Sequence, residues 1–248
     1  MTSVSGKMLW FKAWRETRIR LALSAAIVTT ICSYAVLFPD ANLDGRIVDF
    51  HGSVYHRIYF GTAKGVFGIL LIFLGLSGSL LREQARNTAA LTLSLPISRT
   101  RLVVVPFAVG LSAMAALCLI PASLLQLTSV LADQNYSLVE SLQLCSLWFG
   151  FGAPIFALSF FLSAVTRGDF VAPVATWLLV VLNGYVAAAL GVREMNLLAA
   201  MSGRGTVSSG PFGEWPISGL PWGSLLIALT SASLLLVISI VVTNRRDY

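Results

Sequence analysis

The residue types that commonly carry chemistry are few in this sequence. The chain has two histidines, His51 and His56, and three cysteines, Cys32, Cys118 and Cys145. A serine nucleophile needs a base within hydrogen-bond reach, and both histidines fall in one short polar segment. No His-Glu-x-x-His pair occurs, and the cysteines lie in apolar stretches without the spacing of a zinc site. The sequence therefore predicts no catalytic residue, no metal site and no enzyme activity on this chain.

Charged residues are scarce and unevenly spread along the chain. Of the 248 residues, 56% are hydrophobic and 11% are charged, against roughly 25% charged in a typical soluble domain. Six stretches without Asp, Glu, Lys or Arg are close to or above the roughly 20 residues that cross a hydrocarbon core. The sequence therefore predicts an all-α integral membrane protein with six transmembrane helices. Their predicted bounds are about 21–38, 62–81, 102–132, 142–165, 170–190 and 222–243.

The positive charges indicate how these helices are oriented. With the N-terminus in the cytoplasm, the inner connections hold twelve Lys and Arg residues and the outer connections hold five. Because Lys and Arg accumulate on the cytoplasmic side, we expect a multi-pass protein of the cytoplasmic (inner) membrane with both termini inside. The net charge of +6 is then explained by topology and by attraction to an anionic inner leaflet, so no nucleic-acid partner is predicted.

Residues 6–20 combine tryptophan with basic side chains just before the first span. Helical spacing places Trp10 and Trp14 on one side together with Thr17. Tryptophan favours the headgroup level, and basic residues favour the inner leaflet. We therefore expect a separate interfacial helix over 6–20. The residues predicted to contact the membrane interface are Trp10, Trp14, Arg15 and Arg18.

Two further segments have unusual compositions. The second span carries glycines at spacings of three and four, including Gly61, Gly65 and Gly75; this pattern fits either close helix approach or a helix that tolerates glycine. The outer segment 191–221 is rich in Gly and Pro but also carries apolar side chains such as Met201. We expect part of it to re-enter the outer leaflet as short helical pieces.

The inner connection 82–101 is longer than a turn between two spans needs. It begins charged and becomes apolar, with Leu91 and Leu95 one helical turn apart. Pro96 disfavours helix at the residue before it, and Ser98 is a favourable N-cap for the third span. The sequence predicts a short amphipathic element whose apolar residues meet lipid or a partner protein.

The stretch Leu81-Arg82-Glu83 through Thr88, then Leu93-Ser94-Leu95-Pro96-Ile97-Ser98-Arg99, resembles the cytoplasmic loop of ABC-2 type transporter permeases. In that family, the loop includes the coupling helix that docks on an ATP-binding subunit. An elbow helix, six spans with both ends inside and a partly re-entrant outer segment are also family features, so the resemblance covers residues 1–248 as one transmembrane domain. Asn87 and Ala90 depart from the glycine and the acidic residue that are common in the family. The coupling residues implied by the resemblance are Arg82, Glu83, Arg86, Thr88, Leu91, Leu95, Pro96 and Arg99.

The partners also follow from this resemblance. The chain has no Gly-x-x-x-x-Gly-Lys-Ser/Thr phosphate loop, so we expect no cofactor on it. The resemblance implies a separate ATP-binding subunit that holds ATP and Mg. It also implies a second permease chain, in a homodimer or a heterodimer, within the lipid bilayer.

Polar side chains within the spans are candidates for lining a translocation path. They are Ser77, Gln126 and Asn183. Asn183 lies in the middle of residues 170–192, where an unpaired amide is costly, so it lines a path or bonds to a neighbouring helix. Uncharged spans favour a hydrophobic or amphipathic substrate, such as a lipid, peptide or drug, and the family favours export.

Two other functions are compatible with the composition. An ATP-independent transporter usually places ionisable residues at membrane depth, and all six apolar stretches lack them. A membrane assembly protein without transport activity is the other alternative. A neighbouring gene for an ATP-binding cassette protein would favour the permease.

Overall fold

The described part of the chain is almost entirely helical. The computed structural model describes residues 2–37, 42–43, 46–47, 58, 62–76, 98–132, 138–166, 170–192, 195–201 and 220–245. The helices are α1 (Thr2–Leu37), α2 (Thr62–Gly75), α3 (Arg99–Ala132), α4 (Leu138–Val165), α5 (Val171–Ala189), α6 (Leu197–Met201) and α7 (Trp222–Arg245). An antiparallel ribbon of β1 (Asn42–Leu43) and β2 (Arg46–Ile47) precedes α2. Apart from this ribbon, the predicted helical fold is confirmed for these residues.

Four of the described helices are long and apolar enough to cross a membrane. By length and composition they are Arg99–Leu127, Ser141–Val165, Val171–Ala189 and Trp222–Arg245. They agree closely with the last four predicted spans and indicate a membrane-embedded protein. The helix α2 has 14 residues, or about 21 Å at 1.5 Å per residue; the end of the predicted span, residues 77–81, lies outside the described residues.

The first helix differs from the prediction of an interfacial helix followed by a span. The structure has no helix boundary at residue 20, and α1 runs unbroken for 36 residues. The charged residues that suggested a boundary do not interrupt helical hydrogen bonding, and no Gly or Pro occurs from Lys7 to Phe38. The predicted separate helix over 6–20 was therefore wrong.

The helix α3 begins where the sequence predicts. Ser98 directly precedes it, and the Ser98 carbonyl oxygen accepts hydrogen bonds from the backbone N–H groups of Arg101 at 3.0 Å and Leu102 at 3.3 Å. The helix then continues through Pro106 and Pro121 for 34 residues.

The centre of the bundle is α4. It packs against α2, α3, α5, α6 and α7. Most of its apolar stretch is buried, whereas most of the apolar stretch of α5 and of α7 is exposed. Its Trp148 ring lies 4.3 Å from that of Phe67 on α2, and its Phe156 ring lies 5.3 Å from that of Phe107 on α3, measured between centroids. The outer surfaces of α5 and α7 are consequently apolar and exposed.

The contact between α2 and α4 depends on Gly75. A Cβ atom at this position would lie 2.7 Å from the Phe156 carbonyl oxygen and 2.7 Å from the Ser159 Cβ. The Ser159 hydroxyl donates a hydrogen bond to the Ile72 carbonyl oxygen at 2.8 Å. At Gly65, by contrast, a Cβ atom would meet nothing within 4 Å. Close helix approach therefore applies to Gly75 and not to Gly65.

Candidate functional site

The predicted coupling residues fall mostly outside the described part of the chain. Residues 77–97 are not described, and these include Arg82, Glu83, Arg86, Thr88, Leu91, Leu95 and Pro96. Arg99 is described, as the first residue of α3. The coupling segment therefore remains a prediction, but the structure defines where α3 begins after it.

Arg99 connects the first turn of α3 with the last turn of α7. Its guanidinium Nη1 donates a hydrogen bond to the Asn244 carbonyl oxygen at 3.4 Å. The carbonyl groups at a helix C-terminus carry a partial negative charge, which favours a cation there. This contact brings the start of α3 and the end of α7 together at one end of the bundle.

The predicted interface residues lie on the exposed side of α1. Trp10 and Trp14 are about half exposed, and Arg15 and Arg18 are exposed. Thr17, which the helical spacing grouped with the two tryptophans, is instead fully buried.

The buried side of α1 packs against α3. Leu9 and Ala13 form a small apolar cluster with Leu102, Val105 and Val109. This contact holds the first part of α1 beside the first part of α3 and leaves the aromatic and basic side chains on the outside.

Asn183 has a defined partner. Its side-chain oxygen Oδ1 accepts a hydrogen bond from the Leu197 backbone N–H at 3.1 Å. Leu197 is the first residue of α6, so the amide joins α5 to the short helix that follows it. Of the other path candidates, Gln126 is half-buried on α3 and Ser77 lies outside the described residues.

A tight reversal of the chain brings α6 back to Asn183. Gly191 has φ +72°, and the Val192 and Gly191 N–H groups bond to the Ala187 and Ala188 carbonyl oxygens at 3.0 and 3.2 Å. This is a Schellman motif, which ends a helix with a left-handed residue that glycine adopts without strain. Asn183 is six residues before the end of α5, so α6 begins about 9 Å back along that helix.

The helix α6 packs into the bundle. Met201 is fully buried and Ala200 nearly so, and α6 contacts α2, α4 and α5. Asn196 accepts a hydrogen bond from the Ala199 N–H at 3.2 Å and so caps the helix. The short helical piece expected within residues 191–221 is therefore present at Leu197–Met201. Gly191 and Asn196 were the sequence signals for its position.

Sequence reasoning did not identify the polar contacts of Ser159 and Cys145. The Ser159 hydroxyl bonds α4 to α2, as described above, and the Cys145 thiol donates a hydrogen bond to the Cys118 carbonyl oxygen at 2.8 Å. Both groups bond across helices to backbone oxygens, so they satisfy polar groups inside an apolar core. Within the described ranges, no three His, Cys, Asp or Glu side chains come together as a metal site.

Basic residues collect at one end of the described bundle. This end comprises the first part of α1, the start of α3 and the end of α7, which the apolar cluster and the Arg99–Asn244 contact bring together. Its described cationic residues are Lys7, Lys12, Arg15, Arg18, Arg20, Arg99, Arg101 and Arg245.

Comparisons of the chain with protein-family models, curated proteins and solved structures found no match.

Proposed function

We propose that this chain is the permease subunit of an ATP-binding cassette transporter of the ABC-2 type. The observation that carries the proposal is the inner connection 82–101, whose residues resemble the coupling segment of that family and lie between two apolar stretches. Six such stretches and the twelve-to-five distribution of Lys and Arg support a six-span protein of the cytoplasmic membrane with both ends inside. The four long apolar helices are consistent with this topology.

A separate subunit supplies ATP hydrolysis in this proposal. That subunit binds ATP and Mg and docks on the coupling segment, where Leu91 and Leu95 fill an apolar groove. Buried apolar anchors usually dominate such contacts, and Arg82, Glu83 and Arg86 form their charged rim.

Motion then passes from the partner into the bundle through α3. Pro96 fixes the angle between the coupling segment and this helix. The helix packs against α1, α4 and α7, and Arg99 bonds to the end of α7. Movement at the start of α3 therefore shifts several spans together.

The substrate in this proposal is hydrophobic or amphipathic, such as a lipid, a peptide or a drug, and it is exported. The apolar stretches carry no charged residue that would bind an ionic substrate at membrane depth. One six-span chain is half of such a transporter, so a second permease chain, identical or related, completes the path.

Purification of the tagged chain from its native membrane in a mild detergent tests this proposal. An ATP-binding cassette protein with a phosphate-binding loop should co-purify with the wild-type chain. Leu91→Asp and Leu95→Asp should lose this partner, because each places a charge in the apolar contact.

Leu93→Asp is the matched control, because the proposed helical form of the coupling segment places residue 93 on another side from residues 91 and 95. This variant should keep the partner. Purification of the wild-type chain without any ATP-binding protein would contradict the proposal and favour an ATP-independent transporter or an assembly protein.

A further inference from the structure

The first part of α1 presents one continuous surface of aromatic and basic side chains. We call it the outward stripe and define it as Lys7, Phe11, Trp14, Arg15 and Arg18. These residues follow the spacing i, i+4, i+7, i+8 and i+11, which keeps them on one side of a helix with 3.6 residues per turn. All five are exposed, Phe11 to 66%.

The packing of α1 fixes the direction in which this stripe faces. Leu9 and Ala13 are buried, lie on the opposite side of the helix and contact α3. The stripe therefore faces away from the bundle, on a helix that continues unbroken into the apolar residues 21–37.

The chemistry of the stripe fits a lipid headgroup region. Tryptophan and phenylalanine rings fit the boundary between acyl chains and headgroups. Long basic side chains extend along apolar surface and keep their charge in the polar layer. Phe11 and Trp14 lie between the basic side chains of the stripe. On a membrane-embedded chain, these apolar rings favour lipid over nucleic acid or an acidic protein.

The charges favour anionic over zwitterionic lipid. Three of the five stripe residues are cationic, and the single acidic residue in 1–37, Glu16, lies outside the stripe. The guanidinium groups of Arg15 and Arg18 present paired N–H donors that match phosphate oxygens. Arg101 and Arg245 at the same end add to the attraction.

We propose that the outward stripe binds the phosphate headgroups of anionic phospholipids in the leaflet next to the N-terminus. This inference does not depend on an ATP-binding partner. It requires a membrane-embedded chain whose α1 packs on α3 as described.

Binding of phosphatidylglycerol and phosphatidylcholine to the purified full-length chain, counted by native mass spectrometry, tests the proposal. The wild-type chain should retain phosphatidylglycerol in preference. Each basic residue near an anionic surface contributes about 1 kcal/mol, so Arg15→Gln with Arg18→Gln should lower the preference about 30-fold. Arg15→Lys with Arg18→Lys keeps both charges and should keep most of the preference for phosphatidylglycerol. This variant distinguishes an effect of lost charge from an effect of lost folding.

The matched control is Arg101→Gln with Arg245→Gln, which removes two charges from the same end but outside the stripe. This control should lower the preference by less than about 5-fold, which is the effect expected from losing one basic residue that contacts the lipid surface. Equal losses in the two pairs, or no preference in the wild-type chain, would overturn the proposal. Displacement of the lipid by free inorganic phosphate would also overturn it, since that result indicates an anion site rather than a lipid surface.

Discussion

Gly75 is the residue that sets the distance between α2 and α4. The backbone of α4 lies so close that a Cβ atom would come within 2.7 Å of the Phe156 carbonyl oxygen. Backbone atoms cannot move aside as a flexible side chain can, so a larger residue must separate the helices and weaken the Ser159–Ile72 hydrogen bond.

Gly75→Val should therefore destabilise the protein by about 1–3 kcal/mol, the usual cost of overpacking. Gly65→Ala is the matched control because its new methyl group meets nothing within 4 Å. It should be neutral or stabilise the helix by about 0.5–1 kcal/mol. Thermal unfolding in detergent measures both, and equal destabilisation by the two changes would contradict the described packing.

Asn183 joins α5 to α6 through its hydrogen bond to the Leu197 N–H. Asn183→Leu should lower stability by about 0.6 kcal/mol, the average for hydrogen bonds between membrane helices, and should leave substrate preference unchanged. Thr176→Val is the control on the same helix, since the Thr176 hydroxyl bonds within α5 to the Ala172 carbonyl oxygen at 2.7 Å. Changed preference with unchanged stability would instead place Asn183 in the path.

The sequence identifies Asn183 but not its partner. An amide in a long apolar stretch is conspicuous because it must be satisfied. Leu197 follows it by 14 residues and reaches it through a reversal at Gly191. Every residue except proline has a backbone N–H, so the residue type at position 197 does not identify it as the donor. This contact could therefore be found only from the tertiary fold.

At the scale of elements, helix positions could be predicted and their surroundings could not. Charged residues delimit the apolar stretches, which is why α5 and α7 agree with their predicted bounds within about two residues. However, α7 is more apolar than α4 and is mostly exposed, whereas α4 is mostly buried. In lipid the outside of a bundle is as apolar as its inside, so hydropathy does not reveal which helix is central.

The unbroken α1 and its packing on α3 can be tested by cross-linking. Ala13 and Val105 belong to one apolar cluster, so cysteines introduced at both positions, with the native cysteines replaced, should be joined by a short bifunctional thiol cross-linker. Arg18 is on the outward side, so Arg18→Cys with Val105→Cys should not. Absence of the first cross-link in a folded protein would favour a separate interfacial helix.

At the scale of the whole molecule, the distribution of Lys and Arg predicts the topology. Reporter fusions at Asp133 and Gly205 should lie outside, and fusions at Arg86, Gly168 and Tyr248 should lie inside. Reversal at any of these positions would contradict the six-span arrangement. The contact between Arg99 and Asn244 fits this arrangement, because it brings the start of α3 and the end of α7 to the same end of the bundle.

The central claim is that this chain converts ATP hydrolysis on a partner into transport through its inner segment. Substrate-stimulated ATP hydrolysis by the purified complex in vesicles tests this claim most directly. We expect hydrophobic or amphipathic compounds to stimulate hydrolysis with the wild-type chain. Leu91→Asp or Leu95→Asp should abolish the stimulation, while Leu93→Asp should retain it. Full stimulation in the Leu91 and Leu95 variants would contradict the account.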